Sequence, residues 1–192
     1  MKKATANDKA LVIDLLTASF DENQSVNYII RQDSQRVKHI RALMDYSFEV
    51  CSLFGEVWLS DNHKACALVL YPQQKKTTLK TILLDIQLIF RAIGVNGIKN
   101  ALNREAQIKQ LQPKVEMAYV WFIGVNIKDQ YQGIGTKLLK EVIAEAALKN
   151  QPVYLETSTV KNLPWYERLG FKIYNELAFG YTLFFLKREP VK

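Results

Sequence analysis

The chain reads as an α/β or α+β domain, with helices packed on a central sheet. Three observations point there. Short strand-like runs bounded by Gly, Pro or polar clusters alternate with segments of three- and four-residue apolar periodicity. One run, Met117 to Ile127, carries Val, Tyr, Trp and Phe so continuously that it reads as a central strand covered on both faces. Finally, 192 residues that are 48% hydrophobic suffice for one substantial core, and 8 Gly and 5 Pro rule out low complexity.

The elements follow in order. Residues 2–5 suit a short first strand. Asn7 or Asp8 caps a helix that runs to about Phe20, with Leu11, Val12, Leu15 and Leu16 on its apolar side. Residues 21–34 are polar and turn-like. From Ser34 a second helix begins, and Val37, Ile40, Leu43, Met44, Phe48 and Cys51 mark its inward face. Strands Gly55–Leu59 and Ala65–Tyr71 flank the polar loop Ser60–Lys64, and Pro72 ends the second because proline has no N–H for the ladder. Residues 78–110 are helical. Leu79, Ile82, Leu83, Ile86, Ile89, Phe90 and Ile93 form an apolar face, Gly94 and Gly97 break the segment in two, and Pro113 closes it. After the long strand come a helix at Ile134–Leu148, a buried strand at Pro152–Thr157 and a short helix at Asn162–Leu169 that stops at Gly170. Strands Phe171–Leu177 and Tyr181–Lys187 close the chain around a turn at Gly180. No repeat or interdomain linker interrupts residues 1–192, so one domain with a helical insertion at about 73–115 is expected.

Composition narrows the function. The net charge is +7, which favours anionic partners. The basic residues are scattered and form no run of five or six, which argues against a nucleic-acid tail. Cys51 and Cys66 lie in apolar runs without a Cys-x-x-Cys pair and read as buried free thiols. The N-terminus has no signal-peptide apolar core, and Lys80, Asp85 and Arg91 interrupt the most apolar segment. A cytoplasmic location without membrane attachment is the expectation. His39 and His63 have no partner at metal-ligand spacing, so no metal is expected.

The chemistry concentrates between residues 117 and 148. There a strand, a glycine-containing turn and a helix aim the free amides of a helix N-terminus into the turn. Phosphate is the expected ligand of such a turn. Gly133 and Gly135 carry no Cβ, so an anion can approach the backbone closely. The turn is neither a Walker loop, which needs Gly-Lys-Ser/Thr, nor a dinucleotide fingerprint, which needs a third glycine.

The segment from Val125 to Leu139 resembles the acetyl-CoA-binding signature of the GNAT N-acetyltransferase superfamily. The pattern Gln/Arg-x-x-Gly-x-Gly/Ala is met by Gln130, Gly133 and Gly135. A second block, Tyr154-Leu-Glu-Thr-Ser158 followed by Asn162 to Phe171, is similar to the family's fifth strand and following helix. In these C-terminal blocks the puromycin-acetyltransferase-like branch is nearest. The resemblance is specific over residues 117–175 and diffuse before them. It implies a mixed, mostly antiparallel sheet of six to seven strands, splayed between the fourth and fifth and flanked by helices.

It also implies roles. Backbone groups of Ile123, Gly124 and Val125 pair with the pantetheine arm of acetyl-CoA. The amides of Gln130, Tyr131, Gln132, Gly133, Ile134, Gly135 and Thr136 hold its pyrophosphate, with Lys128 or Lys137 as added charge. Asn162 contacts the cofactor arm or caps the next helix. Tyr166 is the general acid toward the departing thiolate, or else a core tyrosine. The position where some relatives carry a basic Glu on the fourth strand is Tyr119, which puts a direct carboxylate base there in doubt. Glu156, at the end of the fifth strand, is the alternative base, ahead of Glu116. The implied activity is transfer of acetyl from acetyl-CoA to a small-molecule primary amine, by direct attack in a ternary complex and by a monomer or homodimer. A protein or peptide acetyltransferase and a non-catalytic acyl-CoA-binding regulator are the alternatives.

Overall fold

The computed structural model describes residues 1–190. Seven strands form one sheet in the order β1-β2-β3-β4-β5-β7-β6. They are β1 (Lys2–Lys3), β2 (Gly55–Leu59), β3 (Ala65–Leu70), β4 (Ala118–Val125), β5 (Val153–Thr157), β6 (Lys172–Ala178) and β7 (Thr182–Arg188). Only β4 and β5 run parallel; the other pairs are antiparallel. The helices are α1 (Lys9–Ser19), α2 (Gln24–Ile29), α3 (Arg36–Phe54), α4 (Leu79–Leu88), α5 (Ile98–Leu111), α6 (Ile134–Leu148) and α7 (Leu163–Arg168). This is the mixed, mostly antiparallel sheet that the resemblance implies.

Each face of the sheet carries its own core. On one side α1 and α3 bury Val12, Leu16, Ile40, Met44 and Phe48 against Leu59, Leu68 and Phe122. On the other, α6 and α7 bury Leu138, Leu139, Val142 and Tyr166 against Val69, Val120 and Leu155. The inner strands are therefore apolar on both faces, as the unbroken run in β4 predicts.

Four expectations are corrected. A short helix, α2, occupies part of the polar stretch 21–34; the Asn23 side chain caps it by accepting from the Val26 amide at 3.0 Å. Leu11 and Val37 are exposed rather than inward. On α4, Leu79, Ile82, Leu83, Ile86 and Phe90 face outward. The buried side of that segment is Thr81 and Ala92, with Leu84 and Leu88 packed against the α1–α3 core. Apolar periodicity locates a helix face but not which neighbour covers it.

Between α4 and α5 the chain makes a π turn at Ile89–Ile93 and then bends by 102°. Gly94 takes φ +75° there, and a Cβ would stand 2.6 Å from the Arg31 side chain, so both conformation and packing call for glycine. Buried His39 of α3 bridges the Arg91 carbonyl at 2.7 Å and Asp33 at 2.9 Å, tying this turn to the main body. No single helix among the described residues is long and apolar enough to cross a membrane.

Candidate active site

The site begins with a defect in β4. Along the β3–β4 ladder Leu68 faces Phe122 while Val69 faces Val120, which leaves Trp121 as one extra residue on β4. A bulge of this kind bends the strand that carries it. Immediately before it, β4 pairs with β5 over three residues only, Ala118 to Val120 against Val153 to Leu155. From Trp121 to Val125 the edge of β4 that would face β5 carries no strand partner. This is the splay that the resemblance implies, with the bulge as its physical cause.

The open edge leads at one end to the turn at Gln130–Gly135. Gly133 adopts φ +79° as the N-cap of α6, and no atom lies within 4 Å of where a Cβ would stand. The first bond of α6 runs from the Lys137 amide to the Gly133 carbonyl at 2.9 Å. The amides of Ile134, Gly135 and Thr136 precede it and have no acceptor within the helix. Tyr131 takes φ +63° and turns its ring into solvent. Gln130 is placed to donate to the Val125 carbonyl at 3.4 Å, bracing the turn on the end of β4. Trp165 of α7 donates to the Thr136 hydroxyl at 2.9 Å and ties the two helices together. The turn therefore fits an anionic group: it is open, rich in free amides and held from two sides. Lys137 does not add charge to it, being paired with Asp61 at 3.4 Å and Glu141 at 3.9 Å.

Gly124 also has a packing role, which the sequence does not show. A Cβ there would lie 2.9 Å from Leu16 Cδ2 and 3.1 Å from Ser19 Oγ. Its missing side chain lets α1 lie against β4, and Ser19 then donates to the Val125 carbonyl at 2.9 Å.

At its other end the open edge meets a cavity of about 530 Å³. Its walls include Trp121, Phe122 and Ile123 of β4, Glu156 of β5, and Asn162 and Tyr166. The insertion contributes Leu88, Ile89, Ile93, Leu102 and Ile108 to its lining. The inner side of the two insertion helices thus lines this cavity.

Tyr119, Glu156, Tyr166 and Asn162, all named from the sequence, meet here. Tyr119 donates its hydroxyl to Glu156 Oε2 at 2.7 Å, and Gln112 donates to Oε1 at 2.9 Å. Glu156 opens onto the cavity yet is surrounded by protein, and this burial raises its carboxyl above the usual range against the pull of the two donors and of Arg104. Burial and the adjacent carboxylate hold the Tyr119 phenol far above its ordinary value, so it is a donor only. Tyr166 is buried, its hydroxyl makes no hydrogen bond among the described residues, and burial pushes its phenol above the ordinary value as well. Asn162 stands at the N-cap of α7 without a side-chain capping bond, so its amide is uncommitted. Cys51 and Cys66 are buried free thiols, raised by burial, and neither lines the cavity.

Gln112, the bulge at Trp121 and the Trp165–Thr136 link were not identified from the sequence. Gln112 sits 44 residues from Glu156, and nothing local marks it. A bulge leaves the apolar run of its strand intact.

Residues 91–173 match the family model described as acetyltransferase (GNAT) domain. The fold over the whole chain is that of solved acetyltransferases. One is described as histone acetyltransferase HPA2 and related acetyltransferase, from Corynebacterium glutamicum, with TM-score 0.71 and 18% identity over 100% of this chain and 96% of that one. The C-terminal condensation domain of Ebony, in complex with beta-alanyl-dopamine, has TM-score 0.69 and 13% identity, covering 98% of this chain and 97% of that one. The ribosomal-protein-S18-alanine N-acetyltransferase from Escherichia coli has TM-score 0.54 and 13% identity, covering 100% and 93%. The chain thus carries a match to the GNAT acetyltransferase domain over residues 91–173, within a fold shared with solved acetyltransferases. These similarities do not bear out the puromycin-acetyltransferase-like branch in particular.

Proposed function

We propose that the chain is an acetyl-CoA-dependent N-acetyltransferase of small-molecule primary amines. The observation that carries this reading is the continuous path from the amide-lined turn at Gln130–Thr136, along the unpaired edge of β4, to a cavity holding Glu156 and Tyr166. Acetyl-CoA, when bound, supplies a thioester-activated acetyl group. The amides of Ile134, Gly135 and Thr136 and the helix dipole hold its pyrophosphate, and the edge from Ile123 to Val125 pairs with its arm as a strand would. Asn162, free of a capping bond, donates to or accepts from that arm.

Within the cavity an ammonium is not nucleophilic until it loses a proton. Glu156 takes that proton, directly or through one water, and its raised carboxyl brings it closer to the affinity the task needs. Tyr119 and Gln112 fix the carboxylate in place. Tyr166 donates the proton that the leaving thiolate requires, and burial holds its phenol above the ordinary value, so it is protonated at neutral pH. The insertion's lining of the cavity favours a small amine over a protein chain threading an open groove.

The test is an amine and peptide panel with acetyl-CoA, read by thiol release. Acceleration by small amines is expected. If nothing accelerates release while acetyl-CoA binds, the chain is a non-catalytic acyl-CoA binder; acceleration by peptides alone makes it a protein acetyltransferase.

A further inference from the structure

The cavity contains a buried cation, Arg104, that forms no ion pair among the described residues, although its charge acts on Glu156 at longer range. Arg104 of α5 is 8% exposed and lines the cavity. Its Nε donates to the Tyr181 hydroxyl at 3.1 Å and its Nη2 to Ser25 Oγ at 2.5 Å. The Phe179 ring lies 5.7 Å from the guanidinium carbon. These partners are neutral. Among the described residues Arg104 forms no ion pair, and three of its five N–H groups remain unused.

The carboxylates near it are already engaged. Three line the cavity: Asp85, Glu105 and Glu156. Asp85 accepts from Tyr46 at 2.7 Å, Glu105 pairs with Lys109 at 3.3 Å, and Glu156 accepts from Tyr119 and Gln112. A buried guanidinium without a carboxylate is costly unless something compensates it. Its planar fork matches a carboxylate bidentately.

The arrangement along α5 gives the missing partner a shape. Arg104, Ile108 and Gln112 follow one another at four-residue steps, and Gln112 touches Glu156. An anion-binding group, an apolar wall and the proton-accepting carboxylate thus lie in sequence along one side of the cavity. We infer that the acceptor is an amino-carboxylic acid, an amino acid or ω-amino acid, whose carboxylate is held by Arg104 while its amine faces Glu156. This rests on the transferase reading above and specifies the substrate class of the same site. Arg104 is here a specificity-determining residue and takes no part in proton transfer.

The experiment compares matched acceptors with and without the carboxylate: phenylalanine against its methyl ester and 2-phenylethylamine, and 6-aminohexanoate against hexylamine. Each is assayed on the wild type, Arg104→Met and Arg104→Lys. We expect the carboxylated member of at least one set to be preferred by about tenfold or more in kcat/KM. Arg104→Met should erase that preference, and Arg104→Lys should keep part of it because it retains charge without the fork. A merely structural role would lower stability in both variants and leave the preference unchanged. Equal or better turnover of the uncharged analogues by the wild type overturns the inference.

A second measurement separates its failure from that of the transferase reading. Calorimetric titration with hexanoate, against hexan-1-ol as control, reads the anion site without turnover. If no amine is acetylated, the transferase reading falls, and hexanoate binding that disappears in Arg104→Met still supports the anion site. Absence of hexanoate binding to the wild type in that case removes it. Should Arg104→Met not fold, the wild-type preferences and the hexanoate-to-hexanol comparison decide.

Discussion

The Tyr119→Phe variant isolates the machinery around Glu156 with a loss of one oxygen atom. In the wild type the Tyr119 hydroxyl donates to Glu156 Oε2 at 2.7 Å, and this bond favours the ionised carboxylate against the burial that disfavours it. A hydrogen bond to a charged group contributes roughly 1.5–3 kcal/mol. Loss of the bond should therefore raise the Glu156 carboxyl further. A base acts only when deprotonated, so activity falls as pH drops through its pKa. The acidic limb of the kcat profile should therefore move to higher pH in Tyr119→Phe, while the plateau above it changes little. Thiol release at saturating acetyl-CoA and amine gives the profile. The acceptor's own ionisation is common to both enzymes, so the difference between them reports the protein. An acidic limb that stays in place, in a folded variant with normal acetyl-CoA affinity, refutes Glu156 as the base. Folding obeys the same linkage. Glu156 binds its proton more tightly folded than unfolded, so its contribution to stability is greatest below the unfolded carboxyl range and declines as pH rises toward the folded value.

Other outcomes test the remaining parts of the site. Tyr166→Phe should lower kcat by about a hundredfold or more, the usual scale of general acid catalysis, with acetyl-CoA affinity by calorimetry unchanged; a kcat near wild type removes Tyr166 from the chemistry. Gly135→Glu should lose acetyl-CoA binding, because a carboxylate would stand at the turn proposed to receive the pyrophosphate, where a Cβ already meets Val125 Cγ2 at 3.0 Å; unchanged affinity in a folded variant contradicts that assignment. Gly124→Ala should act on stability first. Its Cβ would press on Leu16 and Ser19, and a cost of about 1–3 kcal/mol is typical of overpacking; a melting temperature equal to wild type contradicts the assigned packing.

Much of this architecture was legible from residue order. Helix α6 and strand β2 have the bounds that their periodicity and flanking residues predict, because both bury a continuous apolar face and end at strong local signals. The Gln130–Gly135 turn was legible for the same reason: glycines between a strand and a helix impose a local geometry that needs no distant partner. Helix α2 was hidden, since six residues with one buried side chain carry too little periodicity to stand out.

The catalytic side was different. Tyr119, Glu156 and Tyr166 were each visible as residue types in matched blocks, and Tyr119 stood as the residue that displaced a carboxylate. Only the parallel register of β4 and β5 sets its hydroxyl against Glu156, and only the return of α5 over the sheet adds Gln112 and Arg104. Local pattern determines whether a segment is helix, strand or phosphate turn, because backbone geometry and apolar period act over a few residues. Which side chains share a cavity, and whether a carboxylate is hydrogen-bonded or a guanidinium stands without an ion pair, depends on contacts between segments tens of residues apart. Those were decided by tertiary packing alone.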